Sequence, residues 1–261
     1  NGTYRGQKTL EVELKDLQYC DSAVNGNLQL IDRRNHKNRF SYLQEILKKD
    51  SSDTVVFAAT RARLEKIKAC LHVEPPVYFL TTGSVSSFSD IPERCSKLFL
   101  FDLPLHEGLL EPVLRNNDPY QPITVHLLYG LEDQERNSLL IDLSFPSTQL
   151  LVVIYSLLVE AAGRGNATVF PGQVKEQLKI KPGKNFWHRC KGIFTEIGLL
   201  EGDQLAPDWV AQNDSWQNRL ISSPVFCNSQ ELRKRCMKFQ ELLLYETPTE
   251  IARHLNNLPF L

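Results

Sequence analysis

A small Rossmann-like parallel sheet, with an N-terminal β-hairpin remnant before it and a C-terminal winged-helix-like helical module after it, is the α/β fold class this 261-residue sequence predicts. Three observations predict it. Four short runs, Thr54–Ala58, Val77–Leu80, Lys97–Phe101 and Ile123–Leu128, are apolar at successive positions, as in strands buried on both faces. The stretches between them are long enough for the crossovers that parallel strands need, and the first carries Leu64, Ile67 and Leu71 at helical spacing. Beyond them the chain reads as three helices followed by two very short strands.

Taken in order, Lys8–Leu17 alternates, with Leu10, Val12 and Leu14 opposite Glu11, Glu13 and Lys15, which is a half-buried strand. With the turn at Gly6 it makes residues 1–17 a closing hairpin. A lone hairpin is marginal in water. The chain also does not begin with methionine, so a fragment of a longer protein is expected. Residues 18–50 read as linker and helix: a loop over Gln18–Asn27, a short strand at Leu28–Ile31, and an amphipathic helix over Lys37–Lys49 with Phe40, Leu43, Ile46 and Leu47 inward.

Residues 51–143 form the α/β domain. Its last crossover fits a helix over His106–Arg115, and Asp133–Ser147 reads as a connector. Residues 144–212 form the winged-helix-like domain. Thr148–Ala162 is an almost wholly apolar helix ended by Gly163, Pro171–Leu178 a second, and Lys184–Ile197 a third, stopped by Gly198. Leu199-Leu200 and Gln204-Leu205 flank Glu201-Gly202-Asp203 as a wing. Residues 213–261 hold the C-terminal helices. Asn228 caps Ser229–Tyr245, whose stripe is Leu232, Cys236, Phe239 and Leu243; Thr247-Pro248-Thr249-Glu250 combines a capping box with proline at the first helical position.

Composition excludes more than it specifies. At 42% hydrophobic, 23% charged and net charge −1, no global field draws the protein to nucleic acid or membrane, so any such contact needs a local patch. The longest apolar run, Leu150–Val159, is broken by Ser156 and falls short of the ~20 residues of a span. The cysteines, Cys20, Cys70, Cys95, Cys190, Cys227 and Cys236, form no C-x-x-C pair, so reduced thiols and a cytoplasmic setting are expected.

The phosphate signals of nucleotide-binding sheets are missing. Ala59-Thr60-Arg61-Ala62-Arg63 stands where G-x-G-x-x-G would follow a strand, and no G-x-x-x-x-G-K-[ST] occurs. The histidines form no H-E-x-x-H, there is no G-x-S-x-G, and no dense carboxylate set for a two-metal hydrolase is present. Asp102 and His106 lie at the carboxyl end of a predicted strand, where α/β sites form; an aspartate before Leu-Pro and a helix reads more readily as a turn and cap residue. No catalytic residue, metal ligand or cofactor is therefore assigned. Two basic groups remain as candidate phosphate contacts. On the third helix of the winged-helix outline, Lys184, His188, Lys191 and Thr195 share one face, with Arg189 beside it. Around the start of the amphipathic helix stand Arg33, Arg34, Lys37 and Arg39. The plain alternative for each is a solvated surface.

Two resemblances follow from these residues. Val55–Ile67 (VVFAATRARLEKI) resembles the strand-turn-helix opening the second domain of many helicases, without the later arginine motifs. Tyr4-Arg5-Gly6 with the alternating residues to Asp16-Leu17 resembles the closing hairpin of the oligonucleotide-binding barrel in bacterial RecJ, the single-stranded-DNA-specific exonuclease. Phe145-Pro146-Ser147, Phe194-x-x-Ile197-Gly198-Leu199 and the stretch from Ser222-Ser223 to Leu243-Leu244-Tyr245 resemble the extra C-terminal region of cyanobacterial and Gram-positive RecJ proteins. The resemblance implies a non-catalytic C-terminal accessory region of a 5′→3′ exonuclease acting in recombination and repair. The catalytic domains, with their manganese or magnesium, would lie upstream in the same polypeptide. Single-stranded DNA and a repair or single-strand-binding protein are the implied partners, and no membrane. A helicase-like or winged-helix DNA-binding module, or a protein-interaction scaffold, from another system remains the alternative.

Overall fold

Strands β1 (Ser22–Asn25), β2 (Leu28–Asp32), β3 (Thr54–Ala58), β4 (Val77–Thr81), β5 (Lys97–Leu100) and β6 (Ile123–Leu127) form one sheet in the order β1-β2-β6-β5-β3-β4. Only β1 runs antiparallel, against β2; the other five strands are parallel, as the apolar runs predict. The computed structural model describes residues 22–25, 27–50, 52–71, 77–82, 95–115, 122–163, 184–202, 204–206 and 216–258. The expected hairpin at 1–17, the helix Pro171–Leu178 and Cys20 lie outside the described residues.

Every residue of β3 is buried, and Leu98, Phe99 and Leu100 of β5 are fully so, the pattern of strands covered on both faces. On one face Val56, Phe99, Phe101 and Leu128 pack with Leu43 and Leu47 of α1 (Arg39–Lys49) and Leu64, Ile67 and Leu71 of α2 (Arg61–Leu71). The residues of opposite parity, Val55, Phe57, Leu98, Leu100 and Val125, are equally buried on the other face.

The structure departs from expectation at several places, each with a local cause. The short strand expected at Leu28–Ile31 is β2, and it joins the sheet beside β6, with Leu28 opposite Ile123 and Leu30 opposite Val125, while β1 occupies part of the stretch Gln18–Asn27 expected as loop. The helix expected over His106–Arg115 is broken into a 3₁₀ turn, Glu107–Leu109, and the short α3, Glu111–Arg115. Pro112 has no N–H to give the carbonyl of Gly108, and its ring would clash there in a continuous helix. Asp133–Ser147 is no connector: Leu131–Ser144 is helix α4. Its buried positions include Asp133, Asn137 and Ile141, four residues apart, so polar side chains stand where an apolar stripe would be sought.

Thr148–Gly163 (α5), Lys184–Glu196 (α6), β7 (Leu200–Glu201) and β8 (Gln204–Leu205) follow. After α7 (Trp216–Arg219) and a 3₁₀ turn, α8 runs from Pro224 to Tyr245. It starts before the expected Ser229 because Ser223 Oγ accepts from the Phe226 N–H at 3.0 Å and Pro224 takes the first helical position. Asn228 is then interior to the helix. Cys236, Phe239 and Leu243 are buried as expected, whereas Leu232 is 44% exposed. The last helix, α9 (Pro248–Asn256), carries the full capping box: Thr247 Oγ1 accepts from the Glu250 N–H, and the Glu250 carboxylate accepts from the Thr247 N–H.

The chain divides into two units, one of residues up to Glu135 with those from Phe239 on, the other Arg136–Lys238. Both divisions fall inside helices, α4 and α8. The segment 213–261 is shared out because its apolar residues serve different cores. Trp216, Leu220 and Phe226 join Leu151, Ile154, Tyr155 and Leu158 of α5 and Phe186, Cys190, Ile193 and Phe194 of α6. α9 instead packs on β1 and β2, with Ile251, Ala252 and Leu255 buried. Among the described residues no single helix is long and apolar enough to cross a membrane.

Candidate nucleic-acid interface

α6 forms because its apolar residues recur every three or four positions. Phe186, Cys190, Ile193 and Phe194 are buried, followed by Ile197 and Leu199 beyond its end. Aromatic contacts fix that core: Trp216 lies 5.0 Å from the Tyr155 ring and 5.9 Å from that of Phe194. Gly198 (φ +73°) and Gly202 (φ +66°) then take left-handed conformations that let the chain leave the helix and turn between β7 and β8, which pair antiparallel with Leu200 opposite Leu205. Burial of the Cys190 thiol pushes its pKa up to about 12, so it acts as an inert core residue.

Outside that buried stripe stand the candidates His188, Lys191 and Thr195. Lys184 opens the helix, His188 and Thr195 are exposed, and Lys191 is half-buried. No acidic residue stands in the first turn, where the helix dipole favours an anion. Arg189 is placed differently: its guanidinium lies 5.1 Å over the ring of Phe145, so it serves packing within this unit. Trp187, which sequence reasoning passed over, is half-buried beside His188 and edge-on to Phe186 at 5.0 Å. Its one signal was an aromatic residue directly before the polar face.

The second basic group, in the other unit, breaks up. Arg34 is withdrawn from solvent. Its Nε and Nη2 form a fork onto the Asp32 carboxylate, the shortest bond being 2.6 Å, and Nη1 donates to the carbonyls of Leu243 (2.9 Å) and Leu244 (3.0 Å). These carbonyls belong to the last turn of α8, which has no helical donors left for them. Tyr129 Oη, fully buried, donates to the Leu243 carbonyl as well, at 2.8 Å. Arg34 is thus a helix-end clamp rather than a surface phosphate contact. Arg39 is also internal, with Nη1 donating to the Phe101 carbonyl (3.2 Å) and Asp133 Oδ2 (2.8 Å) and Nη2 bonded to Glu132. Lys37 is exposed.

Arg33 is half-buried with its guanidinium 5.4 Å from the Tyr42 ring. Tyr42 Oη lies 3.0 Å from His126 Nδ1, and the His126 imidazole stacks on Phe99 at 4.2 Å. Burial, assisted by the charges of Lys97 and Arg33, lowers the His126 pKa to about 4 and keeps the ring neutral.

Asp102 is fully buried, and its Oδ2 accepts from the Ala59 N–H at 2.9 Å. This acceptor role spans 43 residues of chain and differs from the local turn and cap suggested by the Asp-Leu-Pro sequence. His106 precedes the 3₁₀ turn without a side-chain cap bond. Among the described residues no three His, Cys, Asp or Glu side chains converge as a metal would require. Comparison of the chain with protein-family models, with curated proteins and with solved structures gives no match.

Proposed function

We propose that the chain is a non-catalytic C-terminal accessory region of a RecJ-like 5′→3′ single-stranded-DNA exonuclease, and that it holds DNA through α6. One observation supports this reading: α6 buries Phe186, Cys190, Ile193 and Phe194, is followed by the antiparallel pair β7 and β8, and carries His188 exposed and Lys191 half-buried, with no acid in its first turn. In a winged-helix module the helix before the wing is the one presented to nucleic acid. The resemblances quoted for the hairpin, for Phe194-x-x-Ile197-Gly198-Leu199 and for the final helices supply the setting. The manganese or magnesium of such a nuclease would be held by upstream domains, and no residue of this chain is given that role.

Binding is expected to be weak and insensitive to sequence, because the chain carries a net charge of −1 and its α6 face has no array of Arg and Asn for reading bases. The test is anisotropy with labelled single-stranded and tailed DNA at low salt. Changing Lys184→Glu and Lys191→Glu together should abolish binding while leaving the far-ultraviolet circular dichroism intact. A double variant that binds like wild type, or a wild type that does not bind, overturns the reading. The alternative, a protein-interaction scaffold, is favoured for the sheet unit by the internal use of Arg34 and Arg39, which removes two cations from its surface.

A further inference from the structure

Two strands of the sheet end on the same arrangement. Where β3 ends, the Ala59 N–H donates to Asp102 Oδ2 at 2.9 Å, and Arg63 Nε lies 3.5 Å from Asp102 Oδ1. Where β6 ends, the Gly130 N–H donates to Asp133 Oδ2 at 3.0 Å, and Arg39 Nη1 donates to the same carboxylate at 2.8 Å. A backbone N–H at the carboxyl end of a parallel strand, with an arginine beside it, is the donor set that α/β sheets offer to phosphate and carboxylate ligands. Here both sets are filled from within the chain.

At β3 the donors are held independently of the carboxylate they serve. The Ala59 N–H belongs to the strand-to-helix turn, which Thr60 caps by accepting from the Arg63 N–H at 3.2 Å. The Arg63 guanidinium lies 5.6 Å over Phe40 and 5.2 Å over Phe101. Asp102 has no exposed surface and sits between the buried residues Phe101 and Leu103, a place where a carboxylate without donors would be costly. We propose that the carboxyl end of β3 is an oxyanion site whose occupant is the chain's own Asp102 carboxylate. Its ligand class is a small carboxylate or phosphate-like oxyanion, and the native side chain closes it to any other. The proposal does not depend on the RecJ-like reading.

Asp102→Ala removes the occupant and leaves the donors. The experiment follows thermal unfolding by circular dichroism while sodium formate is titrated against sodium chloride at equal ionic strength. The Asp102→Ala variant should gain stability saturably with formate and not with chloride; if it is recovered unfolded, the same titration is read as return of the folded signal. Wild type and Asp102→Asn, whose amide oxygen can still accept from Ala59, should respond equally to both salts. Asp102→Ala combined with Arg63→Leu should lose the formate response. Formate acting no more than chloride on Asp102→Ala, or stabilising wild type or the double variant as much as it stabilises Asp102→Ala, would overturn the proposal and leave Asp102 as an internal hydrogen-bond acceptor only.

Discussion

Replacing Arg34 by methionine keeps the length of its aliphatic stem and removes the guanidinium. The side chains of Arg34 and Asp32 are 8% and 12% exposed, so the change leaves a nearly buried carboxylate without its cation. It also takes a donor from the carbonyls of Leu243 and Leu244. Breaking a buried pair costs about 3–5 kcal/mol. Two partners remain, the backbone N–H of residue 34 to Asp32 Oδ1 at 2.9 Å and Tyr129 Oη to Leu243, which places the loss near the lower figure. About 3 kcal/mol corresponds to roughly 6–12 °C in melting temperature for a unit of this size. Arg34→Lys should recover little of it, because an ammonium cannot make the fork onto Asp32 and reach both carbonyls. A double-mutant cycle with Asp32→Asn, read by urea unfolding, should show a coupling of about 1 kcal/mol or more. An unchanged midpoint with lost DNA binding would refute the clamp and restore Arg34 to the surface patch; simple additivity of the two single changes would refute the pairing.

Gly130→Ala should destabilise the sheet unit by about 1–3 kcal/mol in urea unfolding: the added methyl would stand 2.5 Å from Glu132 Oε2, 2.7 Å from Asn35 Oδ1 and 2.8 Å from Arg39 Nη2, and the last of these is fixed by its own partners. His126, neutral when folded with a pKa of about 4, binds its proton more readily in the unfolded chain, near pH 6.5. Its contribution to stability is therefore intact above pH 6.5 and lost progressively as pH falls toward 4. His126→Phe should flatten the pH dependence of the urea midpoint over that interval, and an unchanged slope would show that other groups govern it. Thr247→Ala should cost about 1 kcal/mol through the lost cap of α9, measured the same way.

The elements legible in the sequence were those whose residues state their own environment. β3 and β5 are apolar on both faces at every position after Thr54 and Lys97, and α9 carries its start signal in four consecutive residues. What was hidden depended on partners distant in the chain. Nothing near Arg34 in sequence announces the carbonyls of Leu243 and Leu244, so a clamp read as a phosphate patch. α4 was missed because Asp133 and Asn137 occupy its inward positions, and Asp133 is inward to meet Arg39 and the Gly130 N–H. On α6 the buried side was legible from spacing alone, whereas the stacking of Arg189 on Phe145, a residue outside the helix, was not.

The clamp on α8 has a consequence for the order in which the protein can be made. Arg34 leaves the ribosome 209 residues before the Leu243 carbonyl that it holds. Until then Arg34 Nη1 and Tyr129 Oη lack the Leu243 carbonyl, and the seat for α9 on β1 and β2 lacks its cover, although all six strands are already synthesised. Closing so long a loop adds little entropy beyond that of a shorter one, since each doubling of length costs only about 0.6 kcal/mol. The burden is kinetic: contacts this remote form late, and a nascent sheet exposes apolar surface while it waits. A ribosome stalled before Leu243 would therefore carry a sheet that is paired but unlatched, and emergence of the end of α8 and of α9, rather than strand pairing, would set the moment at which the unit becomes resistant to protease.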